Sequence, residues 1–103
     1  MPRKPRSLPG TVTVVDPVNV GEHPVCTGTA PGLTKVQTRW IDLDKFDPSN
    51  EGTYWGGADV NADGTFTETK DRAIYSTGDW ILAVFDGSVS PARKIAEDTF
   101  TVQ

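Results

Sequence analysis

The chain has 103 residues, with 10 Lys plus Arg against 14 Asp plus Glu, a net charge of -4, 10 Gly, 8 Pro, one Cys and one His. That length builds one hydrophobic core and not two. A lone cysteine excludes an internal disulfide, and with a lone histidine it excludes the thiolate- and imidazole-rich zinc sites within one chain.

The charge is unevenly placed. Residues 1–10 hold Arg3, Lys4 and Arg6 and no acid, which leaves seven cations and fourteen acids, a balance of -7, in residues 11–103. Pro2, Pro5 and Pro9 fix φ and remove three N–H donors, so residues 1–10 read as an extended arm and not as a helix or central strand. The arm has no apolar stretch of the secretory type, and no run in the chain approaches the ~20 apolar residues of a membrane-spanning helix. The expectation is a chain that spans no membrane and either works inside a cell or a virion or is exported by other means. The arm reads either as a solvated tail or as a docking arm for an acidic partner. Nucleic acid is not expected as a partner, since three cations make a weak footprint and the acidic body repels a duplex.

After the arm the pattern is β. Residues 11–15 are dense in β-branched side chains, which favour extended backbone. Asp16-Pro17 interrupts that run and Val18-Asn19-Val20 resumes it, as in an edge strand that kinks or switches. Residues 23–29 form the next predicted strand, closed by the turn Ala30-Pro31-Gly32. Residues 34–43 alternate, with Val36, Thr38 and Trp40 on one face and Lys35, Gln37 and Arg39 on the other, which puts Trp40 inside. Ile41 and Leu43 break the alternation and predict a bulge or a second contact near the strand end.

Residues 44–51 are a loop by composition, and residues 52–57 set Tyr54 and Trp55 between glycines. Asp63-Gly64 lies between the runs 58–61 and 65–69 and predicts a hairpin, because Gly accepts positive φ cheaply. Residues 73–75 add a short predicted strand. Residues 79–86 form the most apolar strand and residues 98–103 the last, joined by a loop over 87–97 with one helical turn at 92–96. About seven short strands at such spacings predict a two-layer β-sandwich.

Several of these features line up. Cys26 precedes Trp40 by fourteen positions, Gly78-Asp79-Trp80-Ile81-Leu82 resembles the Gly-x-Tyr-x-Cys start of strand F in immunoglobulin-like (Ig-like) domains, and residues 60–66 resemble the "DG-x-F" hairpin of bacterial and phage Ig-like modules. Residues 11–103 thus resemble an all-β Ig-like sandwich of about seven strands behind the arm. Two departures matter. Trp80 stands where the corner Tyr would be, so its indole N–H needs an acceptor. Leu82 stands where the second Cys would be, so Cys26 faces an apolar partner and burial alone must hold the core, at about 1.5–3 kcal/mol per large side chain.

The candidate chemistry is sparse. Residues 59–64 match the first half of a calcium loop, but position twelve is Lys70, where a bidentate carboxylate is needed; a plain hairpin is the stronger reading. His23 lacks an evident oriented partner, and Cys26 on a core strand reads as a small buried hydrophobe. Asp42, Asp44, Asp47 and Glu51 read as a solvated loop, and with Asp59 and Asp63 they are where a metal would be sought. No catalytic set, metal site or cofactor is expected. Tyr54 and Trp55 are strand neighbours, so one faces the core and the other faces solvent as an interface or sugar platform.

The resemblance implies a non-catalytic accessory protein of a tailed-phage virion, such as a capsid decoration protein on the particle's outer surface. Its partner would be a capsid or other virion protein, with self-association possible, and the partner-binding residues would be Arg3, Lys4, Arg6, Tyr54 and Trp55. The alternative is a carbohydrate-binding or adhesive module that stacks a sugar on Tyr54 and Trp55.

Overall fold

A computed structural model of the chain describes residues 9–15, 17–44 and 53–103. Arg3, Lys4 and Arg6 of the arm lie outside the described residues, as do Asp47 and Glu51. The strands are β1 (Thr11–Val14), β2 (Val25–Thr29), β3 (Lys35–Asp42), β4 (Thr53–Asp59), β5 (Thr65–Thr69), β6 (Gly78–Asp86) and β7 (Arg93–Val102). They form a three-stranded sheet in the order β1-β2-β5 and a four-stranded sheet in the order β4-β3-β6-β7, with antiparallel pairing throughout both. No helix occurs among the described residues, so none there is long and apolar enough to cross a membrane.

Alternation sends one face of each sheet inward. Val12 and Val14, Cys26, Phe66, Trp40, Trp80, Leu82 and Val84, and Phe100 and Val102 pack into one core fed by both layers. Trp40 and Trp80 meet Phe100, edge-on at 5.9 Å and stacked at 6.3 Å respectively. The Trp80 indole finds the acceptor it needs: Nε1–H donates to the Ser76 carbonyl at 3.1 Å.

The segment after β1 switches sheets as the Asp16-Pro17 interruption predicts. Val12 and Val14 pair with β2, whereas Val18 forms a parallel bridge to Val102 of β7. Gly10 N–H also donates to the Ile95 carbonyl at 2.9 Å, so this chain segment runs along β7 and covers its outer edge.

Four local expectations need correction. Asp63-Gly64 does form a tight turn, with Gly64 at φ 87° and the Asn61 N–H donating to the Thr65 carbonyl at 2.8 Å. Its flanking strands, however, do not pair with each other; β4 pairs with β3 and β5 with β2, so the turn carries the chain from one sheet to the other. A turn signal fixes local geometry only, while pairing is decided by the buried face each strand must present. Alternation also persists through the end of β3, where Asp42 takes the inward position and Leu43 is exposed. The bulge lies instead on β7, where the register against β6 shifts between Val84 and Phe85 and Ile95 is the extra, buried residue. Residues 73–75 form no strand, although Ile74 is a core residue anchored by backbone bonds to Gly21 and Glu22. Residues 92–96 are not helical, because β7 begins at Arg93 and its ladder with β6 overrides local helix propensity.

Candidate cleft between the sheet edges

β4 and β5 are edge strands of different sheets, and they face one another along one side of the sandwich. Phe66 must point inward to fill the core, so the period of two sends Glu68 inward as well, and Lys70 follows just past the end of β5. Glu68 is 8% exposed and Lys70 is 3% exposed. Burying two charges costs free energy unless each finds hydrogen-bond partners. Glu68 Oε1 accepts the Trp40 indole N–H at 2.9 Å, and its carboxylate accepts the Thr38 hydroxyl at 2.8 Å. Thr38 and Trp40 belong to β3, so the carboxylate links the two sheets.

The Lys70 ammonium donates to the Arg72 carbonyl at 2.9 Å and lies 4.5 Å from the centre of the Tyr54 ring. Burial holds its pKa below the usual 10.5, opposed by the charge of Asp71. Gly56 lets β4 approach this pair: a Cβ there would sit 2.6 Å from Glu68 Oε2 and 2.8 Å from Thr38 Oγ1. The result is a cleft of about 240 Å³ lined by Trp40, Glu68, Lys70, Trp55, Gly56 and Gly57 among others.

Tyr54 and Trp55 divide as strand neighbours must. Tyr54 pairs with Trp40 across β3 and takes the inner face, stacked on Trp80 at 5.9 Å. The rim is open there, so Tyr54 is still 42% exposed. Trp55 pairs with Arg39 on the outer face, is 58% exposed, and carries the Arg39 guanidinium 4.7 Å from its ring centre. Arg39 also pairs in register with Ala83, and the neighbouring Ile41, Ile81 and Phe85 on that face are partly buried. Trp55 thus stands at the edge of a partly apolar sheet surface.

The remaining candidates are structural. His23 Nδ1 hydrogen-bonds to the Lys70 carbonyl at 2.9 Å. Cys26 is fully buried opposite Glu68, and burial, with the nearby Glu68 charge, pushes its thiol up to about 12. Asp42 accepts from the Asp44 N–H at 3.0 Å. Asp63 Oδ1 is engaged by the N–H and hydroxyl of Thr65, which lower its pKa. No group of three potential metal-ligating side chains occurs among the described residues.

Glu68 and Lys70 went unread as site residues in the sequence, although the alternation Phe66-Glu68-Lys70 was there to find them. No family model matches the chain, and neither a curated protein nor a solved structure matches it.

Proposed function

We propose that the chain is a non-catalytic Ig-like binding domain that docks on a larger protein assembly, of the virion accessory type its sequence resembles. The observation that carries this reading is Trp55, 58% exposed over Arg39 at the margin of the partly apolar outer face of the four-stranded sheet. Trp and Arg are the residue types that most often dominate protein interfaces, and an exposed Trp on a rigid strand loses little entropy on binding. The strand order supports the Ig-like assignment: β1, β2 and β5 form one layer, and β3, β6 and β7 form the other with β4 added at its edge. Residues 1–10 would supply the second contact, through Arg3, Lys4 and Arg6.

The sugar-platform alternative has less support. Tyr54 and Trp55 lie on opposite faces of β4, so one sugar ring cannot rest on both. The Tyr54 ring is further occupied by Trp80 and Lys70.

The test is occupancy of the parent particle by three chains: full length, lacking residues 1–10, and Trp55→Ala. Each change should lower occupancy at limiting protein by about tenfold or more while the melting curve stays cooperative. Full occupancy by both altered chains would refute the docking assignment.

A further inference from the structure

β4 forms one margin of the four-stranded sheet, and among the described residues it pairs with β3 alone. Two bonds just past the ladders fix which of its backbone groups face outward. Val60 N–H donates to the Thr34 carbonyl at 2.9 Å, so Val60 and Thr34 are a hydrogen-bonded pair. Bonded and non-bonded pairs alternate along an antiparallel ladder, which makes Thr38 with Gly56 and Trp40 with Tyr54 bonded pairs too. Leu43 N–H, which donates to the Asp79 carbonyl at 3.1 Å, gives the same phase from the other side of β3. The N–H and C=O groups of Thr53, Trp55, Gly57 and Asp59 therefore point away from β3, toward the open edge. Natural edges are blunted against strand addition by lysine, proline, a bulge or a covering segment. Thr53–Asp59 holds no lysine or proline, and its register with β3 runs without a shift. The opposite margin, β7, is covered by Gly10 and Val18.

We infer that β4 pairs antiparallel with β4 of a second copy of this chain, about a two-fold axis at Gly56, so that the two four-stranded sheets join into one. Gly56 is the middle residue of β4, so this register uses the full length of both strands. The residues with outward backbone groups then pair among themselves as bonded pairs, Trp55 with Gly57 and Thr53 with Asp59. Gly56 meets its own copy at a non-bonded position, where the backbones come closest, and neither brings a side chain. Large meets small on both faces: Trp55 faces Gly57 outside, and Tyr54 faces Ala58 inside. Charge is matched as well. Asp59 is the only charged residue of the strand. The axis keeps the two copies of Asp59 at opposite ends of the seam and sets each diagonal to Trp55 of the other copy, whose ring carries the Arg39 guanidinium. The strand is thus complementary to itself, which is what a two-fold contact between identical chains requires. A single seam of this length falls short of the roughly 800 Å² per partner of a standard interface, so the pairing is weak and depends on concentration.

The test uses the full chain, purified and alone, so its failure leaves the docking assignment standing. Sedimentation equilibrium from about 10 µM to about 1 mM should show monomers passing into dimers, with a Kd on the order of 100 µM. In the ¹⁵N-labelled chain the backbone amide protons of Trp55 and Gly57 should exchange with solvent about fivefold more slowly at the concentrated end. Thr53→Asp sets an acid opposite Asp59 at both ends of the seam and should weaken the dimer by about tenfold or more. Thr53→Lys sets the opposite charge there and should tighten it by about threefold. Cooperative melting of each variant checks that it is folded. Three outcomes overturn the inference: a chain still monomeric at about 1 mM, which would leave the edge to a strand of another protein; a dimer whose Trp55 and Gly57 amides exchange as fast as in the monomer; or folded Thr53 variants that dimerise as the parent does.

Discussion

Trp40 and Glu68 face each other from different sheets, and the indole N–H of one meets the carboxylate of the other at 2.9 Å. Thr38, two residues before Trp40 on the same face, adds its hydroxyl to the same carboxylate. Removing one donor leaves a buried acceptor short of a partner, which costs more than the net value of the bond. Thr38→Val keeps the shape and removes only the hydroxyl. Urea denaturation should show a loss of about 1–3 kcal/mol. A loss within error would mean that water already serves Glu68.

Gly28 lies between β1 and Phe66 with no room to spare. A Cβ there would run into the Thr11 carbonyl oxygen and come 2.7 Å from Phe66 Cζ. The first neighbour is backbone and cannot rotate away, so Gly28→Ala must push β1 off β2. The expected cost is about 3 kcal/mol, against less than about 0.5 kcal/mol for Thr27→Ala on the exposed face next to it. Equal melting temperatures for the two variants would contradict this account of the sheet.

The pH dependence has two opposing alkaline contributions. Cys26 keeps its proton to about 12 when folded, against 9.0 ordinarily. Between those values the unfolded chain has released a proton that the folded chain still holds. Stability from Cys26 is therefore full below pH 9.0 and falls above it, by up to about 1.4 kcal/mol per pH unit. Lys70 acts the other way: its lowered pKa means the folded chain releases its proton first, so stability rises with pH up to the ordinary 10.5. Cys26→Ala should remove the fall and Lys70→Met the rise, each measured by denaturation across pH 8–12. The parent thiol should also resist alkylation until the chain unfolds.

Calcium should not matter to the turn after β4. Asp63 Oδ1 is committed to Thr65, at 3.0 Å to its N–H and 2.6 Å to its hydroxyl. Adding EDTA should leave the melting temperature unchanged; a drop of several degrees would mean that Asp59 and Asp63 hold an ion.

Much of the layer structure was legible because burial imposes a period of two. Val36, Thr38 and Trp40 declared the inner face of β3, and Tyr54 and Trp55 had to part as neighbours. What stayed hidden depends on contacts distant in sequence. Asp63-Gly64 announces a turn but cannot say whether its two arms pair, because β3 and β2 make that choice. Residues 92–96 hold good helix formers, yet nine registered pairs between β6 and β7 outweigh them. The cleft was hidden differently: a Glu on a short strand and a Lys just past its end look solvent-facing until Phe66 fixes which way the strand must lie.

The contacts that Gly10, Val14 and Val18 make along β7 set how the domain carries load. Gly10 sits beside Ile95, Val18 beside Val102, and Val20 donates to the carbonyl of Gln103. Gly10 and Gln103 therefore lie toward opposite ends of β7. Tension applied between Gly10 and Gln103 pulls these two neighbouring segments past each other lengthwise, so their cross-links share the force together and do not unzip one by one. A scaffold tethered at both ends would find this domain stiff in the direction of pull.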